Sequence, residues 1–192
     1  MKKILFFLLL SAAITSVTNA QVEKGNVLVG GDLANLQLGL NGGSNFSMLV
    51  TPKVAWFVQD KVAFGGYGLL GLETAKGAGV SFNYGVGALG RYYTGTRALD
   101  NVPRTRFFVE TSVGIEGYNP SVGDNTNGLA LGVGPGLAYF ITPNIGIEGL
   151  LKYTGLIGFG SAATSSILNL NVGFQVYLPK RTAINAVKNV TQ

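Results

Sequence analysis

The chain has 192 residues, of which 47% are apolar and only 12% charged, with 29 glycines, no cysteine and no histidine. That much glycine argues against a helical bundle, and that much apolar surface argues against a disordered chain. Without cysteine there are no disulfides, no thiolate metal sites and no lipid-bearing cysteine. The net charge of +5, which falls to +3 without Lys2 and Lys3, is too mild to imply a nucleic-acid partner.

Residues 1–20 have the layout of a secretory signal peptide: a basic start at Lys2 and Lys3, an apolar run from Ile4 to Leu10, and the small-residue site Val17-Thr18-Asn19-Ala20 before Gln21. That run is too short for a spanning helix, and no later stretch reaches the roughly 20 apolar residues such a helix needs. Residues 21–178 are therefore expected to form one domain that crosses a bilayer, if it does, with strands.

From Asn26 onward the pattern has period two and repeats eight times between short Gly/Asn/Ser/Pro clusters. The first run slips from Val27, Val29 and Leu33 to Leu36, Leu38 and Leu40, which predicts a bulge near Asn35. The second puts Phe46, Met48, Val50, Val54 and Trp56 opposite Ser47, Thr51 and Lys53. The third puts Val62, Phe64, Leu70 and Leu72 opposite Tyr67 and Glu73. In the fourth, Val80, Phe82, Tyr84, Val86 and Tyr92 oppose Asn83, Gly85, Gly87 and Arg91. In the fifth, Phe107, Val109, Val113 and Ile115 oppose Arg106, Glu110 and Glu116. The sixth sets Leu129, Leu131, Val133, Leu137 and Tyr139 against Gly132, Gly134 and Gly136. The last two oppose Ile147, Leu151 and Tyr153 to Glu148 and Lys152, and Leu168 to Val176 to Asn169, Asn171 and Gln175.

Every charged residue inside these runs falls on the second face. A soluble barrel collects its charges on the water side and its large apolar residues inside. A transmembrane barrel presents the apolar face outward and a polar one to the lumen. The pattern thus predicts an all-β protein, an eight-stranded antiparallel up-and-down transmembrane β-barrel. Aromatic residues of the apolar face cluster at the strand ends, with Trp56, Tyr92, Phe107 and Tyr139 at one rim and Phe46, Phe82, Tyr84 and Phe159 at the other, as membrane-interface girdles do.

Residues 52–66 (PKVAWFVQDKVAFGG) and 135–149 (PGLAYFITPNIGIEG) resemble each other, each reading as strand, tight turn, strand. Even strand number places both turns with the termini, on the periplasmic side. Lys24, Lys61, Arg97, Arg104, Lys180, Arg181 and Lys188 gather there, against Lys76 at the opposite rim. These hairpins, the strand FFVETSVGIEG at 107–117 and the closing strand LNLNVGFQVYL at 168–178 resemble the outer membrane protein β-barrel domain family, the small OmpA/OmpX-like barrels of Gram-negative bacteria. The resemblance covers roughly residues 27–178. It implies outer-membrane lipid and the barrel-assembly machinery as partners and a monomeric barrel, but no single activity. Family members generally end on an aromatic residue closing the last strand, whereas here Pro179 is expected to stop that strand and leave residues 179–192 as a short basic periplasmic tail.

Without histidine, the usual base of outer-membrane hydrolases and acyl-transferring barrels is missing, so no catalytic residue, metal ligand or cofactor site is assigned. The G-x-G-x-x-G match at Gly85 to Gly90 lies inside a strand, where it cannot aim amides at a pyrophosphate. The most specific constellation is the set of lumen charges, Asp32, Lys53, Glu73, Arg91, Arg106, Glu110, Glu116, Glu148 and Lys152. Arg91 and Glu110 sit at similar depth on adjacent strands, and Glu148 and Lys152 share a face. In about eight strands such pairs are expected to fill the interior as a plug. The outer connections at 41–45, 74–79, 119–127 and 160–166 are short, and only 119–127 offers surface for a partner, whose identity the sequence does not reveal. Three functions follow: a non-enzymatic structural or surface-interaction barrel, a narrow channel for ions or small solutes, and, against the polarity of the faces, a soluble lipocalin-like carrier.

Overall fold

A computed structural model describes residues 22–38, 45–75, 79–94, 104–159 and 164–180. Residues 1–21, 39–44, 76–78, 95–103, 160–163 and 181–192 lie outside them, and with them the expected signal peptide, most of the expected tail, and Lys76, Arg97, Arg181 and Lys188. Eight strands follow one another: β1 Val27–Leu38, β2 Asn45–Gln59, β3 Val62–Ala75, β4 Gly79–Tyr93, β5 Thr105–Asn119, β6 Thr126–Thr142, β7 Ile145–Gly158 and β8 Thr164–Leu178. Each pairs antiparallel with the next, and β1 closes on β8 with Val27 opposite Leu178 and Leu33 opposite Val172. Closure leaves no strand edge, so the ladder amides and carbonyls bond within the sheet.

The expected bulge in β1 is present, where the register against β2 shifts between Ala34 and Gln37. β8 ends at Leu178, immediately before Pro179, whose missing N–H ends the ladder. The two similar hairpins share a finer detail: the β2/β3 register shifts between Phe57 and Gln59, and the β6/β7 register between Phe140 and Thr142. These are equivalent positions in the two segments, and each shift tightens the approach to a two-residue turn. In the first turn Lys61 takes φ 67°, costly for a residue with a side chain. Its backbone is held on both sides, the amide donating to Val22 O at 2.7 Å and the carbonyl accepting from Tyr93 N at 2.8 Å. In the second hairpin the carbonyl of Asn144 accepts from Tyr177 N at 2.7 Å.

The two sides of the wall differ in kind. Outward residues of β4 to β8 are bare and apolar, Val86 and Leu170 being each 68% exposed, while Arg91, Glu110, Glu148 and Gln175 on the inner face are 2% exposed or less. This is the reverse of a soluble carrier, whose polar side meets water. No helix among the described residues is long and apolar enough to cross a membrane.

At the end holding both termini the interior is packed with rings. Phe57, Tyr93, Phe108, Phe140 and Tyr177 join Leu28, Ala55, Ala63 and Ala138 in one cluster, of which Val22, just ahead of β1, is also a buried member. Gly25 N to Phe57 O at 2.7 Å and Lys24 N to Asp60 Oδ1 at 2.9 Å hold this N-terminal segment across the opening. The Phe108 ring lies directly on Gly136 of β6, where any Cβ would collide with it. We expect Gly136→Val to force that ring aside at a cost of about 1–3 kcal/mol. The midpoint of heat-induced gel-mobility change should fall accordingly, and an unchanged midpoint would show that the ring layer is loosely packed.

Candidate functional site: the barrel interior

The inner face of a strand collects every second residue, so the depth of each charge follows from its register. Arg91 of β4 lies opposite Glu110 of β5 in the ladder, and its Nε donates to Glu110 Oε2 at 2.7 Å. Lys53 of β2 reaches across the lumen and donates to both oxygens of Glu110, each at 2.9 Å. Lys152 of β7 approaches the same carboxylate at 3.6 Å. Glu110 has no exposed surface, and its three cations come from three different strands.

Two branches extend from this centre. On one side Lys53 pairs with Asp32 of β1, whose other oxygen accepts from Gln175 Nε2 of β8 at 3.0 Å. On the other, Arg91 Nη1 donates to Glu148 Oε2 at 2.7 Å and to Tyr93 OH at 3.1 Å. Glu148 Oε1 accepts from Tyr177 OH at 2.5 Å, and the Tyr93 and Tyr177 hydroxyls meet at 3.0 Å. Among the described residues no hydrogen-bond acceptor meets Arg91 Nη2. The guanidinium carbon instead stands 4.5 Å from the centroid of the Phe108 ring, whose face attracts a cation. The network thus rests on the ring layer, with centroids 5.4 Å apart for Tyr93–Phe108 and 5.0 Å for Phe140–Tyr177.

The remaining carboxylates sit higher. Glu116 accepts from Tyr67 OH at 2.8 Å, and Glu73 from Asn83 Nδ2 at 3.1 Å. Neither forms an ion pair among the described residues. Glu148 and Lys152, which share a face of β7, turn to different partners. Arg106 is buried one inward step beyond Phe108 toward the termini and has contacts of its own there. Glycines make these reaches fit: the Tyr67 ring crosses β4 and β5 over Gly87 and Gly114, and the Lys152 stem crosses β6 over Gly132. Lys152 Nζ also lies 5.1 Å from the Tyr67 ring centroid.

The filling is confined to the half of the barrel near the termini. Beyond the ion pairs toward the opposite rim lies a cavity of about 430 Å³, floored by Asp32, Lys53, Tyr67 and Lys152. On the outside, Trp56, Tyr92, Phe107 and Tyr139 are exposed near the first rim and Phe82, Tyr84 and Phe159 near the second, with Phe46 half-buried.

Sequence reasoning passed over Phe57, Tyr93, Phe108, Phe140 and Tyr177. The signal was present as adjacent aromatic pairs, Trp56-Phe57, Tyr92-Tyr93, Phe107-Phe108 and Tyr139-Phe140. Neighbours in a strand point to opposite faces, so each pair sends one ring out and one in.

No protein-family model matches the chain, and no curated protein matches it. Solved structures do. The Neisserial surface protein A (NspA) matches with TM-score 0.52 at 16% identity, over 79% of this chain and 95% of that one. The N-terminal β-barrel domain of Pseudomonas aeruginosa OprF matches with TM-score 0.51 at 18% identity, over 79% of this chain and 98% of that one. The chain has the fold of the small eight-stranded outer-membrane β-barrels. The likeness to OmpA/OmpX-like barrels read from the sequence therefore stands as one of fold.

Removing Arg91 leaves Glu148 buried without its cation and Glu110 with one cation fewer. Arg91→Ala should cost about 3–5 kcal/mol, the usual consequence of breaking a buried pair from one side. Added to Glu148→Gln it should cost less than the two single losses combined, because both remove the same Arg91–Glu148 pair. Thermal or urea unfolding in detergent measures both, and additive or absent effects would dismantle the network.

Proposed function

We propose that this protein is an integral barrel of the Gram-negative outer membrane with a structural or surface-interaction role, non-enzymatic and closed to through-passage. The observation that carries this reading is the inverted wall, with ionised side chains inside and bare apolar ones outside. In hydrocarbon such an exterior is stable, whereas a lipid-facing ion costs about 2–4 kcal/mol at mid-depth. The exposed aromatics of the two rims then lie at headgroup depth, and the assembly machinery reads a closing strand that ends on Tyr177 and Leu178. On this reading the ends carrying Val22 and Lys180 are periplasmic, the signal peptide having been removed, and the 119–127 connection faces outward.

Passage is blocked by two successive layers, the rings and the ion pairs, which is why the channel reading ranks second. The absence of histidine from the chain supports a non-enzymatic role.

Fractionation should recover the mature chain in the outer membrane, released only by detergent and migrating faster before boiling than after. In planar bilayers the wild type should be silent, and Tyr93→Ala combined with Phe108→Ala should introduce conductance by opening the ring layer. A steady wild-type conductance that responds to substitution of Arg91 or Glu110 would establish the channel instead.

A further inference from the structure

The cavity in the outer half of the barrel is more than leftover space. It is closed beneath by the ion pairs, and its volume of about 430 Å³ falls within the roughly 300–1,000 Å³ of small-molecule pockets. Its walls also differ in chemistry. Leu49 of β2, Leu69 of β3, Leu156 of β7 and Ile167 of β8 point inward, yet none is fully buried, and Ile167 is 50% exposed. On the inner face of a barrel this is apolar surface left uncovered, which an occupant with an apolar body would remove from water.

The charge of the lining identifies what else the occupant carries. Three carboxylates, Asp32, Glu73 and Glu116, border the cavity against two ammonium groups, Lys53 and Lys152. Both lysines are committed downward: Lys53 is held by Asp32 and Glu110, and Lys152 leans to Glu110 over the Tyr67 ring. Among the described residues Glu73 and Glu116 accept hydrogen bonds from the neutral donors Asn83 and Tyr67, and Lys152 acts on Glu116 only at longer range. The balance of charge facing the cavity is therefore negative, opposite the apolar side chains of β7 and β8.

We propose that this cavity binds a small amphipathic organic cation, its ammonium group facing Glu116 and Glu73 and its apolar body against Leu49, Leu69, Leu156 and Ile167. The inference rests on the lining of the cavity and neither on the cellular location of the barrel nor on its closure to ions, so a bilayer recording and a binding measurement test separate statements.

The mature chain in phosphatidylcholine nanodiscs, which contain no free detergent to fill the cavity, can be titrated calorimetrically with two probes of one shape and opposite charge. 4-Phenylbutylammonium should saturate a single site absent from empty nanodiscs, and 4-phenylbutyrate should bind at least about tenfold more weakly. Glu116→Gln should weaken the ammonium probe about tenfold and Glu73→Gln about threefold, as expected for losing a charge-assisted contact. Ile167→Trp should abolish binding by filling the cavity. It lies away from the hydrogen-bonded interior, so it decides the matter even where Glu116→Gln does not fold, as migration before boiling will reveal. Equal binding of the two probes, binding indifferent to Ile167→Trp, or no saturable site would overturn the proposal.

Discussion

Glu110 is an ionised group with no contact with solvent, and such a group is tolerated only when opposite charges and donors replace its water. Lys53 and Arg91 do so at 2.9 and 2.7 Å, with Lys152 at 3.6 Å. Because these cations stand on β2, β4 and β7, one carboxylate on β5 draws strands from around the whole circumference toward the axis. Arg91 then carries the constraint on to Glu148, and Lys53 carries it to Asp32. The small inward residues of β6 follow from the same demand, since Gly132 lies where the stem of Lys152 has to pass. A bulkier β6 would push the lysine off its path and leave Glu110 with one cation fewer.

The ring layer and the ion pairs support each other. Arg91 is bonded on one edge and stacked on Phe108, and the Tyr93 and Tyr177 hydroxyls end the polar network where the apolar cluster begins. These two tyrosines occupy equivalent places, each donating its amide to the carbonyl of a tight turn in one of the two similar hairpins. The segment from Val22 to Asn26 covers that end. The molecule is in consequence asymmetric along its axis, dense near the termini and hollow toward the opposite rim. That asymmetry is what the proposal of a barrel closed to passage, with a pocket on one side only, rests on.

Much of this was legible in the sequence where the governing rule is local. Alternation of side chains assigns Trp56 outward and Lys53 inward without knowledge of any other strand. The slip of apolar residues around Asn35 announces the bulge found between Ala34 and Gln37. The pairing of Arg91 with Glu110 was legible because neighbouring strands of a meander fix it. Contacts across the lumen were not. Lys53 to Glu110 and Arg91 to Glu148 each join residues 57 apart in the chain, and Glu148 meets Arg91 and Tyr177 instead of relying on Lys152 of its own strand.

Sequence alone determined the number of strands, their order, the face each residue takes and the inversion of polarity across the wall, because period, turn chemistry and charge placement act within a few residues. The tertiary structure alone decided which acid holds which base, that adjacent aromatics build an inner layer as well as an outer girdle, and that the lumen is filled over one half and open over the other. Those outcomes depend on how the closed sheet staggers its strands around the axis, a property that belongs to all eight together and is written in none of them singly.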